Sequence, residues 1–174
     1  MVGDDGAARL DARYTLETSG PSAVATVTAI SPDSGTAGDF ITNVASQTVS
    51  GTFTGTLGVG EKIQVSVDGS TWIDATAGAG TFSAAGVTLT AGGTTLSVRT
   101  IDTAGNITAG TGHSYTLDQS APAATATVTA ISVDSGTAGD FITNTASQTV
   151  SGTYTGTLGS GELIQVSANG GSTW

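Results

Sequence analysis

The chain contains no cysteine, so neither a disulfide framework nor a thiolate metal site is open to it. Stability must come from packing, hydrogen bonding or bound ions. Charge is scarce too: only 10% of the 174 residues are charged, and only 5% are aromatic. The charges lean one way, since fourteen Asp and Glu against four Lys and Arg leave a net charge of −10. That excess repels phosphate backbones and anionic lipid, which argues against a nucleic-acid partner. No run of about 18 apolar residues occurs, so no membrane insertion by a helix is expected. The N-terminus has neither the basic nor the apolar segment of a signal peptide, and any export signal is expected outside these residues. With one histidine, His113, read as a solvated strand residue, and no serine in a G-x-S-x-G context, no nucleophile and base can be paired. No enzymatic activity is expected.

Glycine, threonine, serine, alanine and valine fill most of the remainder, a mixture suited to short strands and tight turns. Self-comparison is more informative. The segment from Tyr14 to Ser66 recurs from Tyr115 to Ser167, offset by 101 positions, with 43 of 53 residues identical. Its landmark is TVTAIS-x-DSGTAGDFITN-x-ASQTVSGT, beginning at Thr26 and again at Thr127. A period near 100 is too long for a solenoid or a propeller blade, so each copy is expected to be a whole domain. YTLETSGP at Tyr14 matches YTLDQSAP at Tyr115, and Trp174 matches Trp72. The phase predicts the tail of one repeat in residues 1–21, a complete repeat in 22–122 and the first half of another in 123–174.

Within one repeat, period-two alternation marks the strands. Val27 and Ala29 share a face, as do Val49, Gly51 and Phe53, then Ile63, Val65 and Val67. Asp68-Gly69 is a type I′ hairpin signal, with Asn169-Gly170 at the same place in the next copy. Trp72 follows on the return strand. Val87 and Leu89, Leu96 and Val98, and Tyr115 and Leu117 supply the later strands. About seven short strands in about 100 residues predict an all-β chain of tandem immunoglobulin-like β-sandwich repeats. The predicted core is Val27, Val49, Phe53, Ile63, Val65, Val67, Trp72, Leu89, Leu96, Val98 and Leu117.

DSGTAGDFITN after the first strand, VSVDGSTW at the hairpin, RTIDTAGN after the sixth strand and YTLDQSAP at the exit together resemble the immunoglobulin-like repeats of large bacterial surface adhesins and biofilm-associated proteins. The resemblance covers essentially the whole chain. It implies a non-catalytic extender module, secreted or on the bacterial cell surface, often rigidified by calcium between neighbouring domains. Its partners would be neighbouring repeats, with the adhesive ligand gripped by other domains. The N-terminal MVGDD departs from the DTAGN of the whole repeat.

Carboxylates are the candidate ligands, because calcium takes hard oxygen donors. In an up-and-down count of seven strands, the loop after the first strand lies at the exit end of the sandwich. That places Asp33 and Asp39 near Asp118, facing Glu162 of the next copy; Asp134 and Asp140 repeat the first two. The competing role for these residues is to satisfy turn backbone. The same two roles are open to Asp102 and Asn106, with Gly105 at positive φ in an Asx-turn. GTLGVGEK at Gly55 to Lys62 lacks the Gly-Lys step of a phosphate loop and reads as a hairpin loop. A second function class is a carbohydrate- or surface-binding module using exposed aromatics, which burial of Trp72, Tyr115 and Phe53 would disfavour. A third is an accessory domain of a hydrolase.

Overall fold

The computed structural model describes residues 14–92 and 95–174, and MVGDD lies outside them. The described residues contain strands and no helix. The chain divides into two compact units, Met1–Gln119 and Ser120–Trp174.

In the first unit the strands are β1 (Val24–Ser31), β2 (Ile41–Thr42), β3 (Ser46–Thr54), β4 (Lys62–Ser66), β5 (Ile73–Asp74), β6 (Thr76–Ala77), β7 (Thr81–Thr88), β8 (Thr95–Ile101), β9 (Ile107–Ala109), β10 (His113–Ser114) and β11 (Thr116–Leu117). One antiparallel sheet has the order β1-β3-β7-β6, and the other has β10-β8-β4-β5 with β9 also on β8. The chain therefore changes sheets between β3 and β4, β5 and β6, and β7 and β8. This corrects the up-and-down order. Residues 55–61 are accordingly a crossover between sheets and not a hairpin loop.

Side-chain alternation explains which residues meet between the sheets. Val49 of β3 and Phe82, Ala84 and Val87 of β7 share one buried cluster with Ile63 and Val65 of β4 and Leu96 and Val98 of β8. Burying an aliphatic or aromatic side chain of this size contributes about 1.5–3 kcal/mol. The Phe82 ring lies against Gly51, where an added β-carbon would be 2.6 Å from it, so only glycine leaves room for the ring. In β1 the alternation breaks. A bulge between Val27 and Ala29 changes the phase against β3, so Ile30 rather than Ala29 turns inward after Ala25 and Val27. Phe53 and Val67 are partly buried against this cluster rather than within it.

The Asp68-Gly69 turn also differs from expectation. Only Gly69 has a positive φ, 72°, whereas a type I′ turn needs it at both residues. Asp68 instead accepts the amides of Ser70 and Thr71 at 2.8 and 2.7 Å, an Asx-type closure that widens the loop between Val65 and its partner Ile73.

The second unit contains β12 (Thr125–Ile131) and β13 (Val150–Thr155). They pair as β1 and β3 do, with Val128 opposite Gly152 as Val27 is opposite Gly51, and with the same bulge. Residues 163–167, the counterpart of β4, form no strand.

Candidate functional site

The loop of residues 32–45 joins β1 to β3 and carries the first two candidate carboxylates. Asp33 Oδ2 accepts the Gly38 amide at 2.8 Å and the Phe40 amide at 3.4 Å, while Asp39 Oδ1 accepts the Ile41 amide at 2.9 Å. Phe40 is held at φ 60°, which is costly for a bulky residue. Its ring is buried and stacks on the exposed His113 ring at 3.7 Å. The same loop recurs in the second unit: Asp134 accepts from Gly139 at 2.6 Å, Asp140 from Ile142 at 2.8 Å, and Phe141 has φ 61° although it is exposed. The motif therefore sets its own shape, through its carboxylates, whether or not its phenylalanine is covered.

β2 in this loop pairs in parallel with β11, so the loop does lie beside the exit, though by a clasp and not by strand counting. The Thr116 amide donates to the Phe40 carbonyl and the Asp118 amide to the Thr42 carbonyl, both at 2.9 Å. Backbone segments meet here, but the carboxylates do not gather: among the described residues no three His, Cys, Asp or Glu side chains form a group able to hold an ion. Glu162 lies in the other unit, where it accepts the Gly159 amide of its own turn at 2.8 Å, as Glu61 does from Gly58. Within either unit, then, Asp33, Asp39, Asp134, Asp140 and Glu162 each close a local turn, and a chelating set is not assembled. One carboxylate oxygen is left over in each unit. Asp33 Oδ1, like Asp134 Oδ1, is shielded from solvent and accepts no hydrogen bond.

Behind the loop sits Gln47, buried and undetected in the sequence. Its Nε2 donates to the Pro32 and Val44 carbonyls at 2.9 and 2.6 Å, while its Oε1 has no donor. In the second unit Gln148 makes the corresponding bonds, and its Oε1 accepts the Val133 amide at 2.8 Å. Proline at position 32 has no N–H to offer.

At Asp102 the Asx-turn is formed. Oδ1 accepts the amides of Ala104 and Asn106 at 2.9 and 2.8 Å, Oδ2 accepts Asn106 Nδ2 at 2.9 Å, and Gly105 has φ 92°. The Asn106 side chain, followed by these amides, holds the Asp102 carboxyl below the usual aspartate range. Asn106 Nδ2 also donates to the Glu17 carbonyl at 3.1 Å, and Thr108 Oγ1 donates to Pro21 at 2.7 Å, so this turn anchors the entering segment.

Trp72 is the clearest correction to the predicted core. It is half-buried on the outer face of the second sheet, with the Arg99 guanidinium 3.9 Å above its ring and its Nε1 donating to Gly69 at 3.2 Å. Arg99 falls at an outward position of β8, between inward Val98 and Thr100. Its Nε donates to Gln64, Gln64 donates to Asp74, and Lys62 pairs with Asp74 at 2.6 Å. The result is a polar ladder across β8, β4 and β5 beside a shallow groove. Tyr115, by contrast, is buried and bonds through its hydroxyl to Thr90. No protein-family model matches the chain and no curated protein matches it, so its likeness to adhesin repeats rests on the motifs quoted above.

Proposed function

We propose that the chain is part of a non-catalytic extender, built of immunoglobulin-like repeats, in a secreted or cell-surface adhesin-like protein. The observation that carries this is the parallel clasp of β2 on β11 in a chain whose motifs recur every 101 residues. It ties the exit of a repeat to its own first loop, so that a following repeat starts from a fixed point and not from a free tail. The sheet orders β1-β3-β7-β6 and β10-β8-β4-β5 support the immunoglobulin-like assignment, because they follow the A-B-E-D and G-F-C arrangement of that sandwich.

Calcium enters this proposal as a ligand of the junction between repeats, drawing on the leftover Asp33 oxygen together with Asp39, Asp118 and Glu162 of the next repeat. The complete repeat has its own apolar core, so the ion stiffens the junction and is not needed for folding. Extracellular sites of this kind bind with Kd on the order of 10⁻⁴ to 10⁻³ M. Small-angle scattering of a protein with two complete repeats tests this. Millimolar calcium should give a more extended profile than chelator, and Asp39→Asn with Asp118→Asn should abolish the difference while the repeats stay folded. Identical profiles with and without calcium would leave packing and Pro122 as the only stiffening elements. The alternative of a carbohydrate- or surface-binding module draws on the outward Trp72, but Arg99 already occupies a face of that ring.

A further inference from the structure

The turn after residues 163–167 carries Asn169-Gly170 and differs from its counterpart at Asp68-Gly69 by one inserted residue, Gly171. In the first unit Ser66 Oγ accepts the Gly69 amide at 2.9 Å. In the second, Ser167 Oγ accepts the Gly171 amide at 2.8 Å instead, and among the described residues nothing accepts the amide of Gly170. The Asn169 side chain, one residue before that free nitrogen, is held at both of its polar atoms. Its Oδ1 accepts the Ser167 hydroxyl and the Thr173 amide, both at 2.9 Å, and its Nδ2 donates to Thr173 Oγ1 at 2.8 Å. Gly170 has no side chain to bar an approach to this amide, and even a β-carbon there would meet nothing within 4 Å. Asp68 and Gly69 are exposed in the complete repeat, so a closed sandwich leaves this turn in solvent.

We propose that Asn169-Gly170 is a self-modification site, at which the Gly170 nitrogen attacks Asn169 Cγ and the side-chain amide is lost as ammonia. The new bond joins Gly170 N to Cγ, and the electron pair of the carbonyl moves onto Oδ1, where the Ser167 hydroxyl and the Thr173 amide stand as donors. The Gly170 proton goes to hydroxide. As the carbonyl re-forms, the bond from Cγ to Nδ2 breaks, and the departing nitrogen takes a proton from water or from the Thr173 hydroxyl beside it. Water then opens the resulting succinimide. Cleavage between Gly170 N and Cγ leaves aspartate, and cleavage between Gly170 N and the main-chain carbonyl carbon of residue 169 leaves isoaspartate. Either product adds a negative charge to a chain whose net charge is −10. The aspartate restores the residue type that Asp68 supplies in the first unit, while isoaspartate routes the main chain through Cγ and lengthens the turn. Asp68 itself has no amine to lose, and its Gly69 nitrogen is already engaged. Nothing in this chemistry depends on the extender role.

The test incubates the intact chain at mildly alkaline pH in water labelled with heavy oxygen and follows each asparagine by peptide mapping and mass spectrometry. Asn169 should convert ahead of Asn43, Asn106 and Asn144, taking up one heavy oxygen and yielding both aspartate and isoaspartate. Deletion of Gly171 returns the turn to the Asp68 pattern, and Ser167→Ala removes a donor to Oδ1. Each should slow the conversion about fivefold, the rate equivalent of one hydrogen bond. A free peptide of residues 163–174, without the rest of the unit to hold the turn, should also react more slowly than the chain. Conversion of Asn169 no faster than that of the other asparagines overturns the proposal. So does an unchanged rate in either variant, or an equal rate in the free peptide, since the reaction would then belong to the dipeptide and not to the turn.

Discussion

Val49 and Val150 hold the same place in the same motif, on strands paired alike with the strand before them, yet Val49 is fully buried and Val150 is 39% exposed. Ile63 and Ile164 differ in the same way, at 0% and 44%. The first unit contains β7 and β8, and among the described residues of the second no strand corresponds to either. Near-identical sequence thus produces the same strand pair, bulge and capped loop in both places, but a sealed core in only one. Pairing of the first two strands and closure of the loop between them are local events. Formation of β4 is not: its edges need β8 and β5, and its inward face needs β7.

The largest expected effect that exploits this contrast comes from the paired substitutions Ile63→Ala and Ile164→Ala. The first opens a cavity in a closed core and should cost about 2–5 kcal/mol. The second removes a side chain already in contact with solvent and should fall within about 0.5 kcal/mol. Urea unfolding with amide exchange resolved by unit separates the two, and comparable losses would mean that the second unit has a core of its own.

A smaller effect is expected at position 32. Pro32→Val supplies the amide that Val133 donates to Gln148, and so should satisfy the buried Gln47 Oε1. The gain expected is about 1 kcal/mol, reduced by the greater freedom of the unfolded chain once proline is lost. A drop in thermal stability would show that the restriction imposed by proline outweighs the missing donor.

The smallest effect concerns acid. The Asp68 carboxyl is held well below the ordinary aspartate value, first by the Thr71 amide and then by the Ser70 amide. Because the folded-state value is depressed, its contribution is complete above an ordinary aspartate pKa of about 3.9 and is lost as pH falls through the lower folded value. Asn169 fills this position in the second unit, its Oδ1 accepting the Thr173 amide at 2.9 Å, and it does not titrate. Acid should therefore accelerate exchange of the Ser70 and Thr71 amides at a pH that leaves the Thr173 amide unaffected. Parallel acceleration in both loops would assign the effect to general acid expansion.

The sequence by itself determined the repeat and the all-β character, because these depend on neighbouring residues and on two-residue alternation, while it left Asp33, Asp39 and Asp102 open between turn closure and ion ligation. It also marked most of the core, where alternation is regular. Tertiary structure decided the rest. The bulge that turns Ile30 inward arises from pairing with β3, and Phe82 is a core residue because Gly51 lies beneath its ring. Trp72 faces outward because Arg99, distant in sequence and adjacent in the sheet, stacks on it. The clasp of β2 on β11 joins segments about 75 residues apart, which no local pattern specifies. Whether an apolar strand face becomes core depends on what arrives to cover it, and that is a property of the assembled sheets.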